Sequence, residues 1–216
     1  MKKYILFDLD GTLTDPMLGI TKSVKYALDK FNIHVNGLDE LCKFIGPPLK
    51  DSFMEFYNFS EEEAEKGVTF YRERYSTKGI YENIVYGGIE RLLKELKDNN
   101  KTIIIATSKP TVFAKEIVDY FKLGKYFDFI CGSNLDGTRS KKVEVIEYAL
   151  KIAGVKDRSE AIMIGDRKHD IIGAKLAKLE SIGVLYGYGD FEELKKSGAD
   201  YIVETVNELE SLLSKL

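Results

Sequence analysis

The 216-residue sequence has no run of apolar residues near the roughly 20 that a membrane-spanning helix needs. No basic block or stripe occurs either: the two signs of charge are mixed and the formal net charge is -3. That excludes a nucleic-acid footprint and an anionic-membrane surface as the working expectation. Cysteine is scarce. Cys42 and Cys131 are far apart and match no metal-ligand spacing, so reduced, partly covered thiols and a cytoplasmic enzyme are expected. The opening "MKKYILFDLD" is basic, but Asp8 breaks its apolar run early, unlike a signal peptide. Internal repeats and low-complexity segments are absent.

An ordinary apolar fraction, 44%, is ample for a core. Short apolar runs at 3–8, 102–107, 127–131, 161–165, 182–186 and 200–203 read as strands, several of them continuously apolar, as strands covered on both faces are. Helical patterns lie between them. Ile89, Leu92, Leu93 and Leu96 form one stripe; Val143, Ile146, Leu150 and Ala153 form another. This alternation predicts an α/β fold with a doubly wound parallel sheet.

One segment breaks the rhythm. Residues 16–83 show no strand pattern but three helical ones, the last opened by Ser60 with Glu63 as a capping box. The expected organisation is a core of 1–15 and 84–216 with an all-helical cap domain at 16–83. The insert follows an acidic loop directly, so a lid over that loop is expected.

That loop, "ILFDLDGTLTD" at 5–15, ends an apolar strand with Asp8 and Asp10. Ligands of open parallel sheets bind beyond the carboxyl ends of the strands. Thr107, Ser108 and Lys109 follow "IIIA", and Asp166 follows "AIMIG", with Asp170 one helical turn on. Four carboxylates at one edge repel unless a cation neutralises them, and an all-oxygen donor set favours Mg²⁺ over zinc. A metal beside a carboxylate nucleophile suggests phosphoryl transfer. Asp8 would attack phosphorus, Asp10 would serve as acid and then base, and Thr107 with a lysine would bind the phosphoryl oxygens. Each fragment alone is common in turns. Their joint occurrence, in order and each after a strand, is not.

The sequence resembles the haloacid dehalogenase superfamily of phosphohydrolases over nearly its whole length. "FDLDGTLTD" resembles the family's first motif, "IIIATSKP" the second and "MIGDRKHDIIGA" the fourth, while a lysine before "VEVIEYAL" resembles the third. "GDRKHDIIGAK" and "FIGPPL" resemble the phosphoglycolate-phosphatase-like branch with a helical cap. The resemblance implies Asp8 as nucleophile and Asp10 as acid/base. It implies Mg²⁺ held by Asp8, the Asp10 main-chain carbonyl and Asp166, with Asp170 in support, and phosphate held by Thr107, Ser108 and a lysine. Lys141 and Lys142 are both candidates for that lysine; counting back from Leu150 favours Lys142. Gly46, Pro47 and Pro48 fall where relatives place a substrate-contacting loop, although a junction where Pro48 starts a helix explains the same residues. Lys109 either reaches substrate or flanks it. His169 and His34 are expected outside the chemistry, and "YGYGD" at 186–190 reads as a strand-to-helix turn near the site.

The implied activity is Mg²⁺-dependent hydrolysis of a small phosphorylated metabolite, phosphoglycolate or a nucleoside 5′-monophosphate; a monomer is the default expectation, on which the sequence itself is silent. A mutase would keep the same constellation. A dehalogenase would need neither Asp10 nor the metal carboxylates. A phospho-aspartate receiver groups similar residues but does not normally carry a long insert after its first strand.

Overall fold

The computed structural model describes residues 1–216. Its main sheet has six parallel strands: β1 (Tyr4–Phe7), β4 (Thr102–Pro110), β5 (Phe129–Ser133), β6 (Ala161–Gly165), β7 (Glu180–Val184) and β8 (Tyr201–Val203). Two short strands, β2 (Thr14–Asp15) and β3 (Ile84–Val85), form a separate pair. The order across the main sheet is β5-β4-β1-β6-β7-β8. The chain therefore builds outward from β1 on one side, then jumps back to build outward on the other. That reversal beside β1 is the place where a doubly wound sheet opens a crevice. In register, Phe7 pairs with Ile105 of β4 and with Ile164 of β6. The residues that follow these three strands are thus held side by side.

Both faces of the sheet are covered. On one, Leu6, Ile104, Ala106, Cys131 and Met163 pack with Val145, Ile146, Ala149, Leu150 and Ala174, drawn from α6 (Lys142–Ile152) and α7 (Lys168–Leu176). The alternating residues Ile5, Phe7, Ile103 and Ile105 point the other way and are equally buried. The helices α4 (Ile89–Asp98), α5 (Thr111–Tyr120), α8 (Phe191–Ser197) and α9 (Val206–Leu213) complete the layers.

The expected strands differ in their ends. β5 and β7 are displaced by two residues because their ladders begin at Ile104↔Phe129 and Ile162↔Glu180. β4 runs on to Pro110, with its pairing broken between Ala106 and Pro110. On α6 the apolar stripe is wider than its sequence pattern: Val145 and Ala149 are wholly buried, whereas Val143 and Ala153 are only partly covered. The helix packs against the sheet and α7 at once, which widens the buried arc. Both cysteines are free, Cys131 buried and Cys42 partly so. Burial pushes the Cys131 thiol up to about 11. No helix is long and apolar enough to cross a membrane.

Contacts divide the chain into two compact units, Met1–Asp15 with Val85–Leu216, and Pro16–Ile84. The second holds α1 (Met17–Asp29), α2 (Leu49–Tyr57) and α3 (Glu61–Tyr75), with 3₁₀ turns at Asp39–Phe44 and Gly79–Tyr81. Its interior is aromatic: Phe53 stacks on Phe59 at 5.6 Å and meets Phe44 edge-on at 5.1 Å. The Ser60–Glu63 capping box forms, the Glu63 N–H donating to Ser60 Oγ and the Ser60 N–H to Glu63 Oε2. Pro48 stands at the N-cap position of α2, just outside it, with no side-chain capping bond.

Candidate active site

Asp8 follows β1 and its N–H donates to Ile164 O at 2.8 Å, so the ladder with β6 fixes its backbone. The chain then turns tightly. The N–H groups of Thr12, Leu13 and Thr14 all donate to Leu9 O. Gly11 takes φ +83 in this turn, and a Cβ there would lie 2.1 Å from Asp166 Oδ2. The turn and Asp166 are therefore in direct apposition. Thr12 Oγ1 donates to Asp166 Oδ1 at 3.3 Å, and the Tyr188 N–H donates to Asp166 Oδ2 at 2.8 Å.

Lys142 is the first residue of α6, and its side chain is buried. Its Nζ lies 2.8 Å from Asp8 Oδ1 and 2.8 Å from Asp170 Oδ1, and donates to Ala106 O at 3.1 Å. Lys141 is exposed and takes no part. Asp170, in the first turn of α7, accepts from the Arg167 N–H at 3.0 Å, a position that suits the positive end of the helix dipole. Thr107 is buried at the end of the regular part of β4 and accepts from the Lys109 N–H through its hydroxyl. Ser108 is half-buried, its carbonyl accepting from Ser133 Oγ at 2.8 Å. Lys109 turns inward: its Nζ lies 2.7 Å from Asp10 Oδ2, with both side chains almost wholly covered.

One carboxylate oxygen from each of Asp8, Asp166 and Asp170 lies within 4.8 Å of the other two, a grouping that could hold a metal ion. The Asp10 side chain is not in that group. Asp8 Oδ1, Asp10 Oδ1 and Asp170 Oδ1 are buried, and beyond the Lys142 ammonium that ion-pairs with the first and last at 2.8 Å they accept no hydrogen bond. Burial raises the Asp166 carboxyl well above the usual range, and Asp170 and Asp8 raise it further. Burial pushes Asp170 up to about 6 against the opposing pull of Lys142. Asp10 is also raised by burial, with Lys109 working the other way. For Lys142, burial favours the neutral form, but Asp170 and Asp8 outweigh it and raise its affinity for the proton.

Four buried carboxylates face two buried ammonium groups, which leaves two negative charges when all are ionised. A divalent cation closes that balance. An all-oxygen donor set with orphaned carboxylate oxygens fits Mg²⁺ better than a softer metal.

The structure thus gathers Asp8, Asp10, Thr107, Lys109, Lys142, Asp166 and Asp170 at one sheet edge. Gly46, Pro47 and Pro48 belong to the helical unit, in the loop between Phe44 and α2, where Gly46 has φ 104. His169 is half-buried, and burial lowers its affinity for a proton; His34 is exposed. Two participants carried no expected role. Thr12 lies inside the first motif. Tyr188 lies in the "YGYGD" segment, whose tyrosines alternating with glycines after a strand were its only signal.

Residues 5–184 match the sequence model of the haloacid dehalogenase-like hydrolases. The fold superposes on the crystal structure of a predicted phosphatase from Clostridium acetobutylicum with a TM-score of 0.98 and 56% identity, covering 100% of each chain. A 5′-nucleotidase of Pseudomonas aeruginosa is 48% identical over 191 residues, 88% of this chain and 86% of the relative. The tyrosine-protein kinase PtkA of Mycobacterium tuberculosis is 32% identical over 212 residues, 97% of this chain and 72% of the relative. The chain belongs to the haloacid dehalogenase-like hydrolase family, as a phosphatase.

Proposed function

We propose that this chain hydrolyses a small phosphomonoester through an aspartyl-phosphate on Asp8, with Mg²⁺ held by Asp8, Asp166, Asp170 and the Asp10 main-chain carbonyl. The single observation that carries this reading is that the buried Asp8, Asp166 and Asp170 carboxylates converge with only one ammonium, Lys142, paired to them. When bound, the ion offsets repulsion between the carboxylates and an anionic phosphoryl group. Asp8 Oδ attacks phosphorus as the bond to the ester oxygen breaks, and Asp10 passes its proton to that leaving oxygen. Water then attacks phosphorus, Asp10 takes the water's proton, and the Asp8–phosphoryl bond breaks to release phosphate. Asp10 Oδ1 suits the proton transfers because it is the oxygen that Lys109 leaves without a partner. Thr107, Ser108 and Lys142 bind the equatorial oxygens, where charge spreads in the transition state. A nucleoside 5′-monophosphate is the leading substrate because of the 48% identity to a 5′-nucleotidase; phosphoglycolate is the second.

The test is phosphate release from p-nitrophenyl phosphate, nucleoside 5′-monophosphates and phosphoglycolate, ranked by kcat/KM, with Mg²⁺ and after chelation. Turnover that stops on chelation, and a base-labile phosphoryl group on Asp8 after acid quench, are expected. Undiminished turnover in chelator overturns the metal assignment. A stable single phosphorylation without release, or transfer of phosphate to tyrosine in place of water, overturns the hydrolase reading.

A further inference from the structure

We propose that Tyr188, with Asp15 as its anchor, is a positioning residue that sets the Asp166 carboxylate for cation binding. The proposal rests on the Mg²⁺ reading above. Asp166 is fully buried and touches no ammonium group in an ion pair; its two oxygens are aimed by one hydroxyl and one N–H, those of Thr12 and Tyr188. The N–H that reaches Asp166 belongs to a loop after β7, and that loop is bolted to the acidic turn at two points. Tyr186 Oη donates to Thr12 O at 3.1 Å, and Tyr188 Oη donates to Asp15 Oδ1. Tyr86 braces the first of these, its ring meeting that of Tyr186 edge-on at 5.1 Å.

Between the tyrosines, a Cβ at Gly187 would lie 2.3 Å from Gly11 O and 2.4 Å from Asp166 Cβ, so only glycine lets the loop settle this closely. The result is a closed chain of contacts: Asp15 to Tyr188, Tyr188 to Asp166, Asp166 to Thr12, Thr12 to Tyr186. Cutting it at the Tyr188 hydroxyl leaves the backbone N–H present but free to drift. Groups that orient a metal ligand without touching the ion typically change affinity 10- to 100-fold when removed. The Tyr188 hydroxyl acts one link further out, so the lower end applies.

The experiment is calorimetric titration of Mg²⁺ into the substrate-free protein, for wild type, Tyr188→Phe, Asp15→Ala (which removes the acceptor) and the double variant, alongside kcat and the KM for Mg²⁺. Tyr188→Phe should raise the Mg²⁺ Kd about tenfold, raise the Mg²⁺ KM in step, and lower kcat at saturating Mg²⁺ by much less. The double variant should be no worse than the weaker single one, since both cut the same link. A wild-type Kd in Tyr188→Phe, or independent losses that multiply in the double variant, overturns the proposal. Wild-type protein that binds no Mg²⁺ overturns instead the reading on which it rests.

Discussion

Lys142 and Asp170 stand on two different helices, yet Nζ of one lies 2.8 Å from Oδ1 of the other, and as close again to Asp8. One buried ammonium therefore ties the strand that carries Asp8 to the helix that carries Asp170. Lys142→Met should leave two buried carboxylates without their shared counter-charge. Breaking a buried pair by removing one partner costs about 3–5 kcal/mol, so thermal melting should fall clearly in chelator. If Lys142 is the phosphoryl-oxygen donor proposed above, its loss should lower kcat/KM by about 10²-fold or more. Lys142→Arg should not rescue activity, because a forked guanidinium does not fit a covered site made for a point charge. Rescue by arginine would show that Lys142 supplies charge alone.

Asp8→Asn keeps shape and burial but removes the proposed nucleophile. Melting should stay near wild type while turnover falls by at least about 10³-fold. Asp10→Asn keeps its neighbours but carries no exchangeable acid proton, and should slow both half-reactions by about 10²–10⁴-fold. Rapid-quench measurement separates the two variants: labelled phosphoryl-protein is absent in the first and forms slowly in the second. An unchanged rate in Asp10→Asn removes it from the acid/base role.

Gly11→Ala tests the apposition of the acidic turn to Asp166. The substitution forces a side chain into φ +83 and places its Cβ 2.1 Å from Asp166 Oδ2. Strain of about 1–3 kcal/mol is expected, with the Asp166 carboxylate displaced. Stability and Mg²⁺ affinity should fall together, read by melting and by calorimetry. Loss of stability with unchanged Mg²⁺ affinity would mean that the turn yields and Asp166 does not.

The fold was legible because parallel strands covered on both faces must be apolar throughout, and runs such as Ile103–Ile105 and Ile162–Ile164 are that plain. Strand ends were less so: Glu180 begins β7 because Ile162 pairs with it, a long-range fact that local sequence does not carry. The convergence of Asp8, Asp10 and Asp166 was legible because each follows a strand of the same sheet, and strand order then brings them together; Asp170 comes one turn into α7. For Lys109 the sequence leaves open whether it reaches substrate or flanks it, because its direction depends on a buried partner, Asp10, 99 positions away in the chain. Tyr188 was missed as a participant for a related reason. Its backbone N–H reaches Asp166, and main-chain donors leave no mark in the letters of a sequence.

The raised carboxyls give a pH dependence with a definite sign. Burial, with the neighbouring carboxylates, makes the folded protein hold protons on Asp166 and Asp170 more tightly than the unfolded chain does. The stability these groups contribute is complete below about pH 4, the ordinary carboxyl range. The Asp170 part is lost as pH rises through its value of about 6, and the Asp166 part as that raised carboxyl ionises in turn. Above that, ionised and crowded acids burden the metal-free fold, and a divalent cation relieves them. Added Mg²⁺ at about 100 times its Kd should stabilise by about 2.7 kcal/mol, a rise in Tm of roughly 5–10 °C for a chain of this size. At pH 8 the full rise is expected. At pH 5 the same Mg²⁺ concentration competes with protons for the same oxygens, and the rise should be less than half as large. Comparing the increment at each pH, rather than Tm itself, cancels the titration of pairs remote from these carboxylates, such as the half-buried Arg74–Glu82. Equal increments at both pH values would mean that the ion binds somewhere other than among these carboxylates.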